Sequence, residues 1–287
     1  MTPGSRGADP GRATQAGPEA TFVRGALLDL LRDPATGGPL ECATAPDARG
    51  RPQEFLVNPQ TQRRFPVRDG IPILLAEEVS GPNLKYQALY DRMAPFYDLA
   101  TGLYARWKGT SVETRVREYL DELEVAPGSR VLEVSVGTGR NLPFLPRNAL
   151  LVGLDLSWRM LRRCQRSATK RDLSVALVMG AAERLPFADE AFDVVFHFGG
   201  INFFNDRRAA LREMVRVARP GTKFVVGDEN ESVARKYEEV PVAGGFYGGR
   251  LGAISPPVDL LPSGMADVSV KDVAGGDLYC LTFRKPR

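Results

Sequence analysis

The spacing of apolar positions changes character several times along the chain. Residues 1–20 are rich in Gly, Pro, Ala and Thr and read as a disordered tail. From 21 to 79 the apolar clusters are short: Leu27, Leu28, Leu30 and Leu31, then Phe55-Leu56-Val57, then Ile71, Ile73, Leu74 and Leu75. Pro, Gly and Asn separate them, which predicts one short helix followed by a few short strands. A unit of that size needs a staple or a docking partner. Residues 80–83, Ser-Gly-Pro-Asn, read as a linker. From Leu84 to Trp107 aromatic residues recur at helical spacing, with a break expected at Pro95. Thr110–Val125 is amphipathic, with Val116, Leu120 and Leu123 on one face, and stops at Pro127-Gly128.

Beyond that point apolar strands alternate with amphipathic helices. Strands are expected at Arg130–Ser135, Leu150–Leu156, Ser174–Met179, Phe192–Phe198 and Thr222–Gly227. Ser157 caps a helix running to Ala168, and Asp206 caps one running to Ala218. This order predicts an α/β fold with a mainly parallel sheet covered on both faces. Val268–Val273 and Leu278–Arg284, joined by Ala-Gly-Gly-Asp, form a hairpin that places an antiparallel last strand in the sheet. Glu238–Pro262, with its glycine–aromatic run Gly244–Gly249, is long for a connection and reads either as a lid over a bound acceptor or as a merely flexible loop. The divisions are therefore a tail (1–20), a small α+β unit (21–79) and a large domain (84–287).

Composition narrows the classes. Hydrophobic residues make up 43% and charged residues 25%, enough for a normal core. The net charge is +3 with the basic residues scattered, so nucleic-acid binding is not expected. Cys42, Cys164 and Cys280 lie far apart, which suits reduced thiols. No run approaches the roughly 20 apolar residues of a membrane span, and the N-terminus lacks the apolar core of a signal peptide. A cytoplasmic location is expected.

The chemistry centres on VLEVSVGTGRN, Val131–Asn141. A buried strand there delivers Glu133 and then Gly137-Thr138-Gly139. Open parallel sheets bind ligands at the carboxyl ends of their strands. In GLDLS, Asp155 ends the next strand, where a carboxylate can accept both hydroxyls of a ribose. A dinucleotide fingerprint would need a third glycine where Leu142 stands, so the arrangement suits a cationic ligand without phosphates. His197 ends the fourth strand near the expected cleft. It reads either as a general base or as a strand-end histidine bonded to its neighbours. Asp228 and Glu229 end the fifth strand on the same rim, and Asn202 and Asn205 read as turn and capping residues with a second option of orienting an acceptor.

Five segments carry a resemblance: YDRMAPFYDLAT (Tyr90–Thr101), VLEVSVGTGRN, GLDLSWRML, GAAERLPFADEAFDVVF (Gly180–Phe196) and LREMVRVARPGTKFVV. In this order and spacing they resemble the UbiE-like branch of class I S-adenosylmethionine-dependent methyltransferases. The resemblance implies a Rossmann-like sheet, S-adenosyl-L-methionine as cofactor and a small-molecule methyl acceptor, apolar or aromatic by the lid's composition. It implies that Glu133 holds the methionine ammonium. Ser135, Gly137, Thr138, Gly139 and Asn141 would form the loop around the methionine part. Asp155 would take the ribose, while Leu156, Ala182 and Glu183 lie beside adenine. Tyr90 and Tyr97 would close the pocket, and His197, Phe198 and Gly199 would line the gap to the acceptor. Ser135 stands where glycine is frequent, and Ala181 where many relatives carry an aspartate that bonds the adenine amine. Two alternatives therefore stay open: a methyltransferase-like binding protein without turnover, and a modifier of RNA or ribosomal components.

LLDLLRDPATGGPLE and FLVNPQTQRRFPVRDGIPILL resemble the small zinc-ribbon domain of the Trm112-like group. Its four cysteine positions match Asp33, Thr36, Asn58 and Thr61 here, none a thiolate. A metal-free relic, held by its own apolar cluster and by docking, is expected.

Overall fold

The computed structural model describes residues 25, 27–46, 49–238 and 253–287, without the side chains of residues 95–97, 100, 237 and 238. The expected tail and the Gly244–Gly249 run lie outside the described residues.

The first unit begins with a single helical turn, Leu28–Leu30, and continues as a four-stranded antiparallel meander. Its strands are β1 (Glu41–Pro46), β2 (Pro52–Val57), β3 (Arg64–Arg68) and β4 (Ile71–Pro72). Leu56 and Phe65 pair across β2 and β3 and are both buried. The four positions of the zinc-ribbon resemblance do meet, and hydrogen bonds connect them. The fully buried Asn58 amide donates to Asp33 Oδ2 (2.8 Å) and to Thr36 Oγ1 (3.0 Å). Its own Oδ1 accepts the main-chain N–H of Thr61 (3.2 Å). Asp33 Oδ1 accepts from the N–H of Ala35 (2.8 Å). Among the described residues no cluster of His, Cys, Asp or Glu could hold a metal ion.

This unit docks through main chain as well as side chains. Arg32 N–H donates to the Pro186 carbonyl (2.9 Å), Ala188 N–H to Leu30 (2.8 Å) and Leu74 N–H to Met179 (2.8 Å). Leu27, Leu31, Leu56 and Leu74 belong to the same buried cluster as Val178 and Phe187. Ile73 also makes an isolated parallel bridge to Met179, which covers part of an edge that would otherwise be open.

Two helices follow. α1 spans Gly81–Trp107, with Ser80 at its N-cap and Pro82 in the first turn, where a missing N–H costs nothing. The expected linker residues 81–83 are therefore helical. The expected break at Pro95 does not occur. Pro95 forfeits one hydrogen bond, while side chains on both sides of it tie α1 to the loops beneath. α2 is Val112–Leu120, shorter than the amphipathic pattern suggested. It tightens into three-residue turns, with Glu122 N–H on the Tyr119 carbonyl and Leu123 N–H on Leu120.

The large sheet contains β5 (Arg130–Val134), β6 (Leu150–Asp155), β7 (Val175–Met179), β8 (Val194–Phe198), β9 (Lys223–Glu229), β10 (Ala266–Val273) and β11 (Leu278–Arg284). Helices α3 (Trp158–Lys170), α4 (Arg207–Val217) and α5 (Glu231–Glu238) connect them. Ser157 accepts from Met160 N–H and Asp206 from Ala209 N–H, the two caps read from the sequence. The strand order is β10-β11-β9-β8-β5-β6-β7, with β5 to β9 parallel, β11 antiparallel to β9 and β10 antiparallel to β11. This is the Rossmann-like methyltransferase fold. The chain moves outward from β5 through β6 to β7, then returns to β8 on β5's other side. That reversal opens a crevice above the carboxyl ends of β5 and β8.

The buried knuckle makes a quantitative prediction. In Asn58→Ala, Asp33 Oδ2 keeps no side-chain donor. A hydrogen bond to a buried charged group is worth about 1.5–3 kcal/mol, so urea unfolding should show a loss of that size, unchanged by a metal chelator.

Candidate active site

The crevice is a cavity of about 420 Å³, within the range of small-ligand sites. Its floor is formed by strand ends and its roof by α1. From the β5 side come Glu133, Ser135, Gly137, Thr138 and Asn141; from the β6 side, Asp155 and Leu156; beyond β7, Gly180, Ala182 and Glu183. Tyr90 comes down from α1, and Phe198 marks the end of β8. Two of the expected site residues are not brought to the cavity, and one cannot be placed. Gly139 packs away from it, so close to α3 that an added Cβ would lie 2.6 Å from Cys164 Sγ. Its role is the tight turn against the helix. The side chain of Tyr97 lies outside the described residues.

His197 is the other departure. It is fully buried, does not line the cavity and stands edge-on to Phe204. Its Nδ1–H donates to the Val134 carbonyl (2.9 Å), while Nε2 has no partner among the described residues. Burial lowers its pKa to about 4, against the pull of that carbonyl. The ring is a neutral fixture between β5 and β8, which is the strand-end reading and not the base.

Glu133 is 1% exposed. Its Oε1 accepts from the Asn141 amide (2.5 Å), but Oε2 is buried with no partner among the described residues. Burial, only partly offset by Asn141, raises its pKa to about 8. An unpaired buried carboxylate oxygen in a ligand-sized cavity fits an ammonium group. Asp155 Oδ2 accepts the N–H of Gly137 (2.8 Å) and Oδ1 that of Ser157 (2.8 Å). These donors fix both oxygens toward the cavity and oppose the burial that raises its pKa to about 6. The remaining lone pairs suit two hydroxyl donors. Ser135 has φ +60°, left-handed backbone that disfavours every residue with a Cβ and explains why glycine is frequent there.

Sequence reasoning missed the partners that hold this site. Tyr119 O–H donates to Asn141 Oδ1 (2.5 Å), orienting the amide that meets Glu133. The Tyr119 ring stacks on Phe198 with centroids 3.4 Å apart. Phe198 can lie there because β9 offers Gly227, where a Cβ would sit 2.1 Å from the ring. On α1, Gln87 donates to the Leu156 carbonyl (2.8 Å), Asn83 to Glu183 (3.0 Å), and Asp98 accepts from Thr138 Oγ1 (2.6 Å). Asp91 accepts from Ser157 Oγ (2.5 Å). Asn205 bonds the start of α1 at Ser80 and Asn83, so it acts as a latch. The polar residues interleaved with aromatics in 83–98 were the available signal.

The other half of the cavity is different. Tyr86 and Phe203 stack at 4.2 Å, and Phe204, Val112, Val233 and Leu278 continue an apolar wall. Three carboxylates border it: Asp228, Glu229 and Asp277. Asp277 is engaged by Tyr104, Lys108 and Arg115. Asp228 accepts from the main-chain N–H groups of Asn202 and Glu229. The Glu229 carboxylate makes no side-chain hydrogen bond among the described residues, and burial followed by the charges of Asp228 and Asp277 raises its pKa to about 8.

Residues 132–226 match the family model described as a methyltransferase domain. The demethylmenaquinone methyltransferase of Corynebacterium glutamicum is 31% identical over 172 residues, covering 60% of this chain and 68% of that protein. The chain belongs to the class I S-adenosylmethionine-dependent methyltransferases. The enzyme of the same name from Renibacterium salmoninarum is 36% identical over 147 residues, covering 49% of this methyltransferase and 57% of its relative. The matched segments thus span from about half to two thirds of the curated relatives' lengths. A solved S-adenosylmethionine-dependent methyltransferase from Thermotoga maritima shares the fold at 23% identity and a TM-score of 0.53, covering 69% of this chain and 99% of that one.

The cofactor follows from the family, and its ammonium fits the orphaned oxygen of Glu133. Because the empty-site pKa is about 8, Glu133 takes up a proton on folding. Its contribution to stability is complete below the ordinary carboxylate pKa and is lost as pH rises through 8. An ammonium ligand favours the charged form and releases that proton. Calorimetry should therefore show S-adenosylmethionine affinity rising from pH 6 to 8 with proton release. Glu133→Gln should weaken binding about 100-fold, of the order expected for a buried charged hydrogen bond, and flatten the pH dependence of ligand-free thermal stability.

Proposed function

We propose that this methyltransferase acts on a small, largely apolar aromatic molecule carrying an ionisable hydroxyl group. The observation that carries the reading is the Glu229 carboxylate, which borders the apolar half of the same cavity that holds Glu133. β9 lies two strands from β5, roughly 10 Å at ordinary strand spacing, which leaves room for an acceptor between the two carboxylates.

On this reading Glu133 holds the methionine ammonium, Asp155 the ribose hydroxyls, and Leu156, Ala182 and Glu183 border adenine. Tyr90 and Thr138 close the cofactor half. When bound, S-adenosylmethionine supplies a methyl group already activated on a sulfonium sulfur. The residues then have to align the acceptor, exclude water and take one proton. Tyr86 and Phe203 offer flat surfaces for an aromatic ring. The stacked Tyr119 and Phe198 form a rigid wall beside the reaction zone, which favours alignment over diffusion. Glu229 would take the hydroxyl proton as the acceptor oxygen bonds to the methyl carbon and the carbon–sulfur bond breaks, leaving a neutral thioether, a general-base role that its raised pKa suits near neutral pH. Relatives named for demethylmenaquinone put the reduced, hydroquinone form of that compound, which carries two hydroxyl groups, first among acceptors to test. The small first unit, whose sequence resembles the Trm112-like group, serves in this proposal as a docked structural element.

Labelled-methyl transfer to the chemically reduced, hydroquinone form of demethylmenaquinone and to a panel of hydroxylated aromatic compounds tests the proposal. Transfer confined to amines, or to polar non-aromatic acceptors, would overturn it. For an accepted compound, kcat/KM should rise with pH toward about 8. Glu229→Gln should lower kcat by about 100-fold or more and abolish that limb, while leaving calorimetric S-adenosylmethionine affinity unchanged. Equal loss of cofactor binding would remove Glu229 from the acceptor side.

A further inference from the structure

α1 has two working faces. The inner one carries Asn83, Gln87 and Tyr90 over the cavity. The outer one is apolar where water would be expected. Leu99, Leu103 and Trp107 follow each other at four-residue spacing and are 64%, 59% and 78% exposed. Arg92 and Arg106 stand seven residues before and after Leu99, so two helical turns place both on this same face, and both are exposed. Among the described residues neither arginine has an ion pair.

The neighbouring helix extends the charge. On α3, Arg159, Arg163, Arg166 and Lys170 recur at helical spacing on the side opposite the buried Leu161, Cys164 and Ala168. α3 is joined to α1 directly: Arg163 pairs with Asp98 (3.1 Å), and Asp91 accepts the N–H of Arg159 (3.1 Å). Both acidic residues at this seam are thus already engaged, Asp98 by Arg163 and Thr138 and Asp91 by Ser157 and the N–H of Arg159. Two adjacent helices present an apolar stripe ending in tryptophan, bordered by guanidinium and ammonium groups.

We propose that this face of α1 and α3 docks on an anionic lipid surface, with Leu99, Leu103 and Trp107 entering the interfacial layer and the basic residues meeting headgroup phosphates. Charge and shape select this occupant. An apolar face with cationic flanks is the pattern of helices that lie in a bilayer interface. Three apolar side chains fall far short of the roughly 800 Å² per partner of a stable protein interface, so a second copy is disfavoured. A nucleic-acid backbone would engage the cations but leave the leucines and Trp107 without a partner. On the acceptor reading above, docking seats the roof of the cavity where apolar molecules concentrate. The surface itself does not depend on that reading.

The test uses the full chain without cofactor or acceptor, sedimented with phosphatidylcholine vesicles and with vesicles containing phosphatidylglycerol. Partition onto the anionic vesicles should be about tenfold stronger and fall as salt rises, with tryptophan fluorescence shifting to the blue. Leu103→Ser combined with Trp107→Ser should abolish the apolar part of binding and the shift. Arg159→Glu combined with Arg166→Glu should remove the preference for anionic vesicles. Circular dichroism and S-adenosylmethionine affinity should remain unchanged in both variants. No partition onto anionic vesicles, equal partition onto both kinds, or retention by the Leu103/Trp107 variant would overturn the proposal. So would concentration-dependent dimers lost in that variant, or binding of a labelled RNA oligomer by a chain that ignores vesicles.

Discussion

A buried carboxylate with one oxygen satisfied and one left over is the constraint around which this molecule is organised. Glu133 is 1% exposed near the end of its strand, level with Gly153 and Phe196 on the strands either side. Such a group is costly to keep, and the surrounding structure keeps it in one position. Asn141 holds Oε1, Tyr119 holds Asn141, the Tyr119 ring lies on Phe198, and Phe198 lies over Gly227. This chain of contacts crosses from β5 to β9, two strands away and two residues before Glu229. The contacts that hold the Glu133 end of the cavity therefore also hold the Glu229 end, and neither can be repacked alone.

Much of this was legible in the sequence, for reasons that differ by element. Strands β5 to β9 are short apolar runs bounded by turns, and Ser157 and Asp206 announce their helices because a side-chain oxygen is the ordinary solution for unpaired N–H groups. Glu133 and Asp155 were legible because strand ends in a doubly wound sheet point toward the crevice. Tertiary support was not legible. Pro95 was read as a break, yet α1 is fastened at Asn83, Gln87, Asp91 and Asp98, and one lost main-chain bond cannot undo that. Tyr119 drew no reading of its own within the amphipathic segment; only the fold puts its hydroxyl on Asn141. His197 allowed two readings from its place at a strand tip, a base or a bonded strand-end histidine, because a strand residue points to one side of the sheet or the other. This one points into packed protein.

The small first unit shows how hydrogen bonds can tie two loops together. A zinc knuckle fixes two loops through four thiolates. Here the corresponding positions are fixed by an asparagine amide shared between a carboxylate and a hydroxyl. Directional hydrogen bonds in a buried site can specify one geometry, provided each group finds a partner. Docking supplies the rest: Leu31 and Leu74 enter the main core, and Ile73 lies along β7. The contact that joins the two units also covers part of the β7 edge, through the bridge from Ile73 to Met179.

The basic residues show why a linear reading of charge is incomplete. Along the sequence they are scattered, and no run suggests an anionic partner. On α3 the intervals between Arg159, Arg163, Arg166 and Lys170 are those that a helix turns into one face. On α1 the outward leucines and tryptophan are spaced the same way, while the inward aromatic residues occupy the cavity side. A helix with apolar residues on both faces has no strong amphipathic signature, because the two contributions cancel. Such a helix requires two apolar environments. The cavity and the sheet loops are one. Among the described residues nothing covers the other, and the cations that border it restrict what can. Water alone satisfies the arginines but not Leu99, Leu103 and Trp107, whereas an apolar protein groove satisfies those three but not the arginines. A charged lipid interface satisfies both within the few ångströms over which they are separated.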